Sequence, residues 1–257
     1  MIKKTTLLFA MALGTAFVGP AQAAPQVPAA AMAVDAAAIL AEVDRRAATF
    51  DDQSYTATMQ IIKAGQLKKT LTFNAVMKGL DRQLLEFVAP GDVAGMKVLL
   101  EGTDNLYIYL PEFKKVRRVA AHVQNQGFLG STFTLSDMAE AKLSPLYDAE
   151  MGSTDGSLTT LILTPKAGIE TSAAKIELVI DGTKGGVTKL RYFDSSGTET
   201  RQQLRDEWIK IDDKFVPTQV SMLDLKTGDV SVIKLSNLLV NQGVEDDLFS
   251  RRTLLRE

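Results

Sequence analysis

Among its 257 residues the chain has no cysteine and only one histidine, His122. The missing thiol excludes thiol catalysis, a disulfide scaffold and a tether through an acylated N-terminal cysteine. A lone histidine excludes a histidine-rich metal site. No stretch beyond the N-terminal region approaches the roughly 20 uncharged apolar residues of a membrane-spanning helix, so the mature chain is expected to be soluble. There is no glycine-rich phosphate loop, since Gly79 and Gly185-Gly186 lack its spacing. The acidic pairs Asp51-Asp52, Asp212-Asp213 and Asp246-Asp247 lack the spaced oxygen ligands of a calcium loop and read as turns and helix starts. Neither a metal nor a cofactor is expected.

What is present begins with a secretory signal: Lys3-Lys4, an uncharged apolar run from Thr5 to Val18, and Ala21-Gln22-Ala23 as a cleavage site. Residues 1–23 are therefore expected to be removed on export to the periplasm of a Gram-negative-type cell. Losing Lys3 and Lys4 turns 29 basic against 31 acidic residues into 27 against 31, which makes no case for nucleic acid. Residues 24–34 are Ala/Pro-rich without periodicity, a flexible lead. Order is expected from Asp35 onward, and with no linker in view residues 35–257 read as a single domain.

Asp35 is placed to cap a helix over 36–50 with Ile39, Leu40, Val43, Ala47 and Phe50 on its buried stripe. After Asp51-Asp52 the period changes to two. Tyr55, Ala57, Met59 and Ile61 alternate with polar residues, Ala64-Gly65 turns, and Leu71, Phe73, Ala75 and Met77 alternate again. Alternation persists through 82–89, 95–101, 105–110 and 115–119, and again through 146–151, 157–164, 174–181, 186–194, 199–210, 215–224 and 229–238. Pro90-Gly91-Asp92, Asp155-Gly156, Asp181-Gly182, Ser195-Ser196-Gly197 and Thr227-Gly228-Asp229 mark tight turns between them. The fold class is mainly β with few helices: an antiparallel meander curling into a barrel or half-barrel, one face apolar and the other wet, as in Lys175 to Ile180. The interruption over 120–143 is expected to cross the sheet as a loop and a short helix from Ser136 to Ala141, a lid.

Ser131, His122 and Asp137 share that loop. No nucleophile elbow surrounds Ser131, and residues so close in sequence are poorly placed to converge, so no catalytic group is assigned and the chain is expected not to be an enzyme. Lys114, Lys115, Arg117 and Arg118 form the strongest charge cluster. Its ordinary reading is a solvated strand face, and its functional one a contact with anionic lipid head groups or an acidic partner.

The blocks Arg82–Pro90, Gly95–Leu100, Leu106–Pro111 and Lys114–Arg118 resemble the LolA-like outer membrane lipoprotein-sorting protein family, in the LolA/LolB superfamily. Phe128-Leu129-Gly130-Ser131-Thr132-Phe133 with Asp137 resembles that group's F-x-G-S-x-F…D signature. The resemblance implies a curved antiparallel sheet forming an incomplete β-barrel, wrapped around an N-terminal helix and a helical lid, with an apolar cavity that shields acyl chains. It implies a periplasmic carrier of a lipoprotein or lipid, a monomer working between an inner-membrane exporter and an outer-membrane acceptor. The reading from another class is a periplasmic lipid-sensing or partner-binding module of an envelope system. Leu71, Phe73, Leu85, Phe87, Leu106, Ile108, Leu178 and Trp208 are the expected ligand-binding positions, with Phe128, Leu129 and Phe133 on the lid. Strand periodicity leaves open which apolar face meets ligand and which is core.

Overall fold

The structure, a computed structural model, describes residues 35–102 and 105–256. The expected signal peptide and flexible lead lie outside the described residues.

The Asp35 carboxylate accepts the N–H of Ala37 and starts α1 (Ala36–Ala47). Ala36, Leu40 and Asp44 are its buried residues, flanked by half-buried Ile39 and Val43. The helix ends at Ala47, short of the expected Phe50. Here the chain must turn into strand pairing, and the N–H of Asp51 already donates to Asn241. Phe50 stays buried outside the helix, with the Lys214 ammonium 5.3 Å from its ring.

Two meanders follow. The first runs β1 (Gln53–Lys63), β2 (Gln66–Lys78), β3 (Arg82–Ala89), β4 (Lys97–Glu101), β5 (Asn105–Leu110) and β6 (Lys115–Arg118). The second runs β7 (Tyr147–Asp155), β8 (Leu158–Pro165), β9 (Lys175–Asp181), β10 (Gly186–Phe193), β11 (Glu199–Ile211), β12 (Lys214–Asp224) and β13 (Val230–Val240). The turn between β1 and β2 takes positive φ at both Ala64 (49°) and Gly65 (72°), the left-handed pair that a two-residue hairpin requires.

All thirteen strands form one curved antiparallel sheet in the order β6-β5-β4-β3-β2-β1-β13-β12-β11-β10-β9-β8-β7. The first and last strands pair in the middle, Met59 opposite Ile233, so the free edges are β6 and β7. The sheet is not closed into a barrel, and the segment 119–146 is the chain's passage from one edge to the other. It holds α2 (Ala121–Gln124) and α3 (Leu135–Ala139). β12 meets β13 only over Gln219–Leu223, and its first half pairs with β11 alone, so the sheet forks there.

Period-two alternation sends Ala57, Met59, Ile61, Leu71, Phe73, Ala75, Phe87, Val98, Leu100, Leu106, Leu161, Leu163, Ile176 and Leu178 to one face, where they make a single core with α1 and the lid. The opposite face is not wet throughout. Leu84 and Leu99 project there, and the chain end returns over them through Phe249 and Leu254, the latter in α4 (Arg251–Leu254). Elsewhere that face is charged: Arg191 bridges Glu177 and Glu199, and Lys175 pairs with Glu177.

Asp52 fastens the returning segment. Buried to 2% exposure, its carboxylate accepts the N–H groups of Gln242, Gly243 and Val244 at 2.8–2.9 Å. The Val244 bond first, with those of Gln242 and Gly243, holds this carboxyl below the usual carboxylate range against the cost of burial. A depressed folded pKa contributes stability that is complete above the unfolded value of about 3.9 and is lost as pH falls through the folded one. Asp52→Ala is therefore expected to cost about 2–3 kcal/mol at neutral pH. Its urea midpoint should also fall less steeply than the wild type's below about pH 4. Equal slopes would mean that this carboxylate is not linked to folding.

Candidate functional site

The side chains covering the inner face come from the edge-to-edge segment. The Phe128 ring centroid lies 5.8 Å from that of Phe87, which lies 5.3 Å from that of Phe73. Phe133 and Leu135 are buried in the same core, and Leu129 and Met138 pack against it. The apolar inner face is thus covered by the chain's own edge-to-edge segment.

Local chemistry shapes this plug. Gly130 has φ +80°, a conformation that side chains resist. A Cβ on Gly127 would lie 2.5 Å from the carbonyl oxygen of Ser131, so only glycine fits there. The Ser131 hydroxyl donates to the carbonyls of Phe128 and Phe133, closing the loop that presents both rings. That is a structural role, and it leaves no free nucleophile at Ser131. Thr134 and Asp137 form a reciprocal capping box at the start of α3. His122 falls within α2.

The lid is fastened to the sheet by polar bonds. Arg201 of β11 donates to both carboxylate oxygens of Asp137, at 2.9 and 3.0 Å, with side-chain exposures of 15% and 8%. Burial opposes the Arg201 charge, and the Asp137 carboxylate outweighs it, raising its pKa. The Thr132 hydroxyl donates to the Met222 carbonyl, and its N–H donates to the Ser231 hydroxyl. At the far end, Asp44 of α1 accepts the N–H groups of Leu143 and Ser144. This explains a buried acid on a helix face expected to be wholly apolar.

Of the expected ligand positions, Leu71, Phe73, Phe87, Leu106 and Leu178 lie in the core beneath the lid, and Leu85 and Ile108 pack against it. Trp208 does not join them. β11 pairs with β12 in one register from Arg201 to Ile211, and Trp208 lies an odd number of residues from Gln203, which stands opposite core residue Met222; the indole lies over Gly186 and donates to the Arg205 carbonyl. The inner face of β11 is polar. Gln203, opposite core residue Met222, is buried, Arg201 stands 4.8 Å from the Tyr192 ring, and Arg205 donates to Gln203, its own pKa lowered by burial. Sequence reasoning missed this strip, although Arg201-Gln202-Gln203-Leu204-Arg205 shows polar residues at every second position. The basic residues Lys115, Arg117 and Arg118 lie exposed on the edge strand β6, and Lys114 stands just before it with φ 47°.

A curved antiparallel sheet left open between its edge strands, its inner face plugged by the segment joining those edges, defines a LolA-like protein. A family model described as an uncharacterized protein matches residues 79–256, and the chain belongs to this LolA-like family. Among solved structures it is similar to a DUF1329 family protein from Desulfovibrio piger, at 26% identity and TM-score 0.77, over 85% of this chain and 97% of that one. A protein from Vibrio parahaemolyticus described as an outer membrane lipoprotein-sorting domain shares the fold at 21% identity and TM-score 0.75, covering 86% of this chain and 98% of its own. So does a LolA superfamily protein from Nitrosomonas europaea, at 20% identity and TM-score 0.71, covering 86% and 100%. No curated protein matches the chain. Among the described residues no helix is long and apolar enough to cross a membrane.

Proposed function

We propose that the protein is a periplasmic carrier that takes up acyl chains of a lipid or lipoprotein between the inner and outer membranes, in exchange for its own lid. The observation that carries this is the plug: Phe128 and Phe133 cover the apolar face but are held to the sheet by side-chain bonds rather than by strand pairing. Such a lid can leave without breaking the ladder. The exchange is balanced because each methylene that enters contributes about 0.8 kcal/mol, offsetting the apolar contacts the lid gives up. Leu71, Phe73, Phe87, Leu106 and Leu178 form the floor that cargo meets. The description of the Vibrio protein as lipoprotein-sorting supports the same reading. Release and loading would take place at an exporter and an acceptor, with the basic β6 edge as the contact surface. No bond is made or broken in this cycle.

Native mass spectrometry of the mature protein, taken from a periplasmic extract without detergent, is expected to show an added mass that organic extraction identifies as a lipid or acylated peptide. A bare mass that stays unchanged when lipids are added would end the carrier reading.

A further inference from the structure

Two hydrogen-bond donors on the inner face have no acceptor in the protein. The Arg205 side chain donates through Nε to Gln203 and makes no other hydrogen bond, and among the described residues no carboxylate pairs with it. Its neighbours on β11 are balanced: Arg201 by Asp137, and Glu207 by Lys234. The hydroxyl of Tyr192, a residue only 6% exposed, likewise bonds nothing among the described residues. Burial and the Asp137 charge push the Tyr192 pKa up, while the Arg201 and Arg205 charges pull it down, so both guanidinium groups lie within reach of the hydroxyl. Among the described residues no sealed side-chain nitrogen or oxygen lacks a partner, so the terminal nitrogens of Arg205 and the Tyr192 oxygen face open space. A cation set among apolar side chains is costly unless an anion reaches it.

The sheet register sets that cation at the end of an apolar row. Arg205 stands opposite Val220 of β12, Val220 opposite Ile233 of β13, Ile233 opposite Met59 of β1, and Met59 opposite Leu71 of β2. Met59 and Leu71 belong to the main core, and Val220 and Ile233 pack against it. Five strands at about 4.8 Å apart give the row a span of roughly 19 Å, room for a long chain rather than a short one. We infer that Arg205 and Tyr192 anchor the carboxylate of a long-chain fatty acid, its tail lying along Val220, Ile233, Met59 and Leu71 once the lid has left. The guanidinium fork matches a carboxylate in shape, and a single unbalanced charge matches a monoanion. The inference rests on the carrier reading and adds to it the class of cargo: a free acid held head inward.

The test is calorimetric titration of the mature protein with laurate at about pH 8, where the acid is ionised, beside the uncharged alcohol of the same chain length, and with acetate as competitor. Laurate should bind about tenfold more tightly than the alcohol, as a hydrogen bond to a charged group implies. Arg205→Met, which puts an apolar chain in place of an unbalanced charge, should remove that difference and leave the alcohol unchanged. Tyr192→Phe deletes a hydroxyl that bonds nothing, so its urea midpoint should hold while laurate weakens about threefold. Lys210→Met, at an exposed cation farther along β11, should change neither ligand. A laurate preference undiminished in either Arg205→Met or Tyr192→Phe overturns the anchor and leaves the carrier reading standing, as does equal binding of both ligands by the wild type. If the wild type binds neither, the carrier reading falls and the anchor with it. Complete displacement of laurate by acetate would reassign Arg205 to a small free anion and overturn the fatty-acid assignment.

Discussion

Replacing Arg201 with alanine is expected to cost about 3 kcal/mol, because it leaves the buried Asp137 carboxylate without its cation. The loss should be local. Amide hydrogens over 127–139 should exchange faster, while those of β1 and β2, whose bonds lie wholly within the ladder, keep their protection. Dye binding to apolar surface should rise as Phe128 and Phe133 leave the inner face. Asp137→Asn should fall between wild type and Arg201→Ala, since an amide oxygen can still cap α3 but cannot balance the guanidinium charge. Uniformly faster exchange across the whole sheet would show that the pair supports the fold as a unit and is not a lid fastening.

Phe87→Ala is expected to lower stability by about 3–5 kcal/mol, the cost of emptying a large side chain from a packed core. Phe87 is 0% exposed and touches an aromatic from the neighbouring strand on one side and one from the lid on the other. Urea unfolding should show a lower midpoint at unchanged slope. The hole it leaves is apolar and lies under the lid, so an added monoacyl lipid should recover more of the lost stability in the variant than it adds to the wild type. Leu239→Ala, at a position 55% exposed, should cost less than about 0.5 kcal/mol. A loss for Phe87→Ala as small as that of Leu239→Ala would place Phe87 outside the core and remove the basis of the cargo floor.

The reading from sequence went furthest where local rules act alone. The strands expected at 82–89 and 105–110 match β3 and β5, and the other strands keep their places to within a few residues, because alternation and turn chemistry are written in consecutive residues. The segment 120–143 was legible as the one long break in alternation, and the cap at Asp35 from its side chain. Errors arose where a distant segment decides. The second apolar cluster was missed although the paired leucines at 84–85 and the run Val98-Leu99-Leu100 hint at burial on both faces. Trp208 was assigned to the cargo floor as a large apolar residue, whereas the fold puts Gln203, out of step with Trp208, opposite core residue Met222. Asp44 breaks the apolar stripe of α1, and only the lid backbone at Leu143 and Ser144 explains it.

By itself, the sequence determined the β-rich class, the strand and turn positions, the exclusion of thiol catalysis and of a histidine-rich metal site, and the resemblance to a lipoprotein-sorting family. These follow from composition and short-range periodicity. Tertiary structure alone decided that β1 pairs with β13 and leaves β6 and β7 as free edges, that Arg201 meets Asp137, and that the inner face is filled by the lid. Residue 137 meets residue 201 only after both meanders have curled, and no local pattern encodes which residues meet across a fold whose contacts are this far apart in sequence.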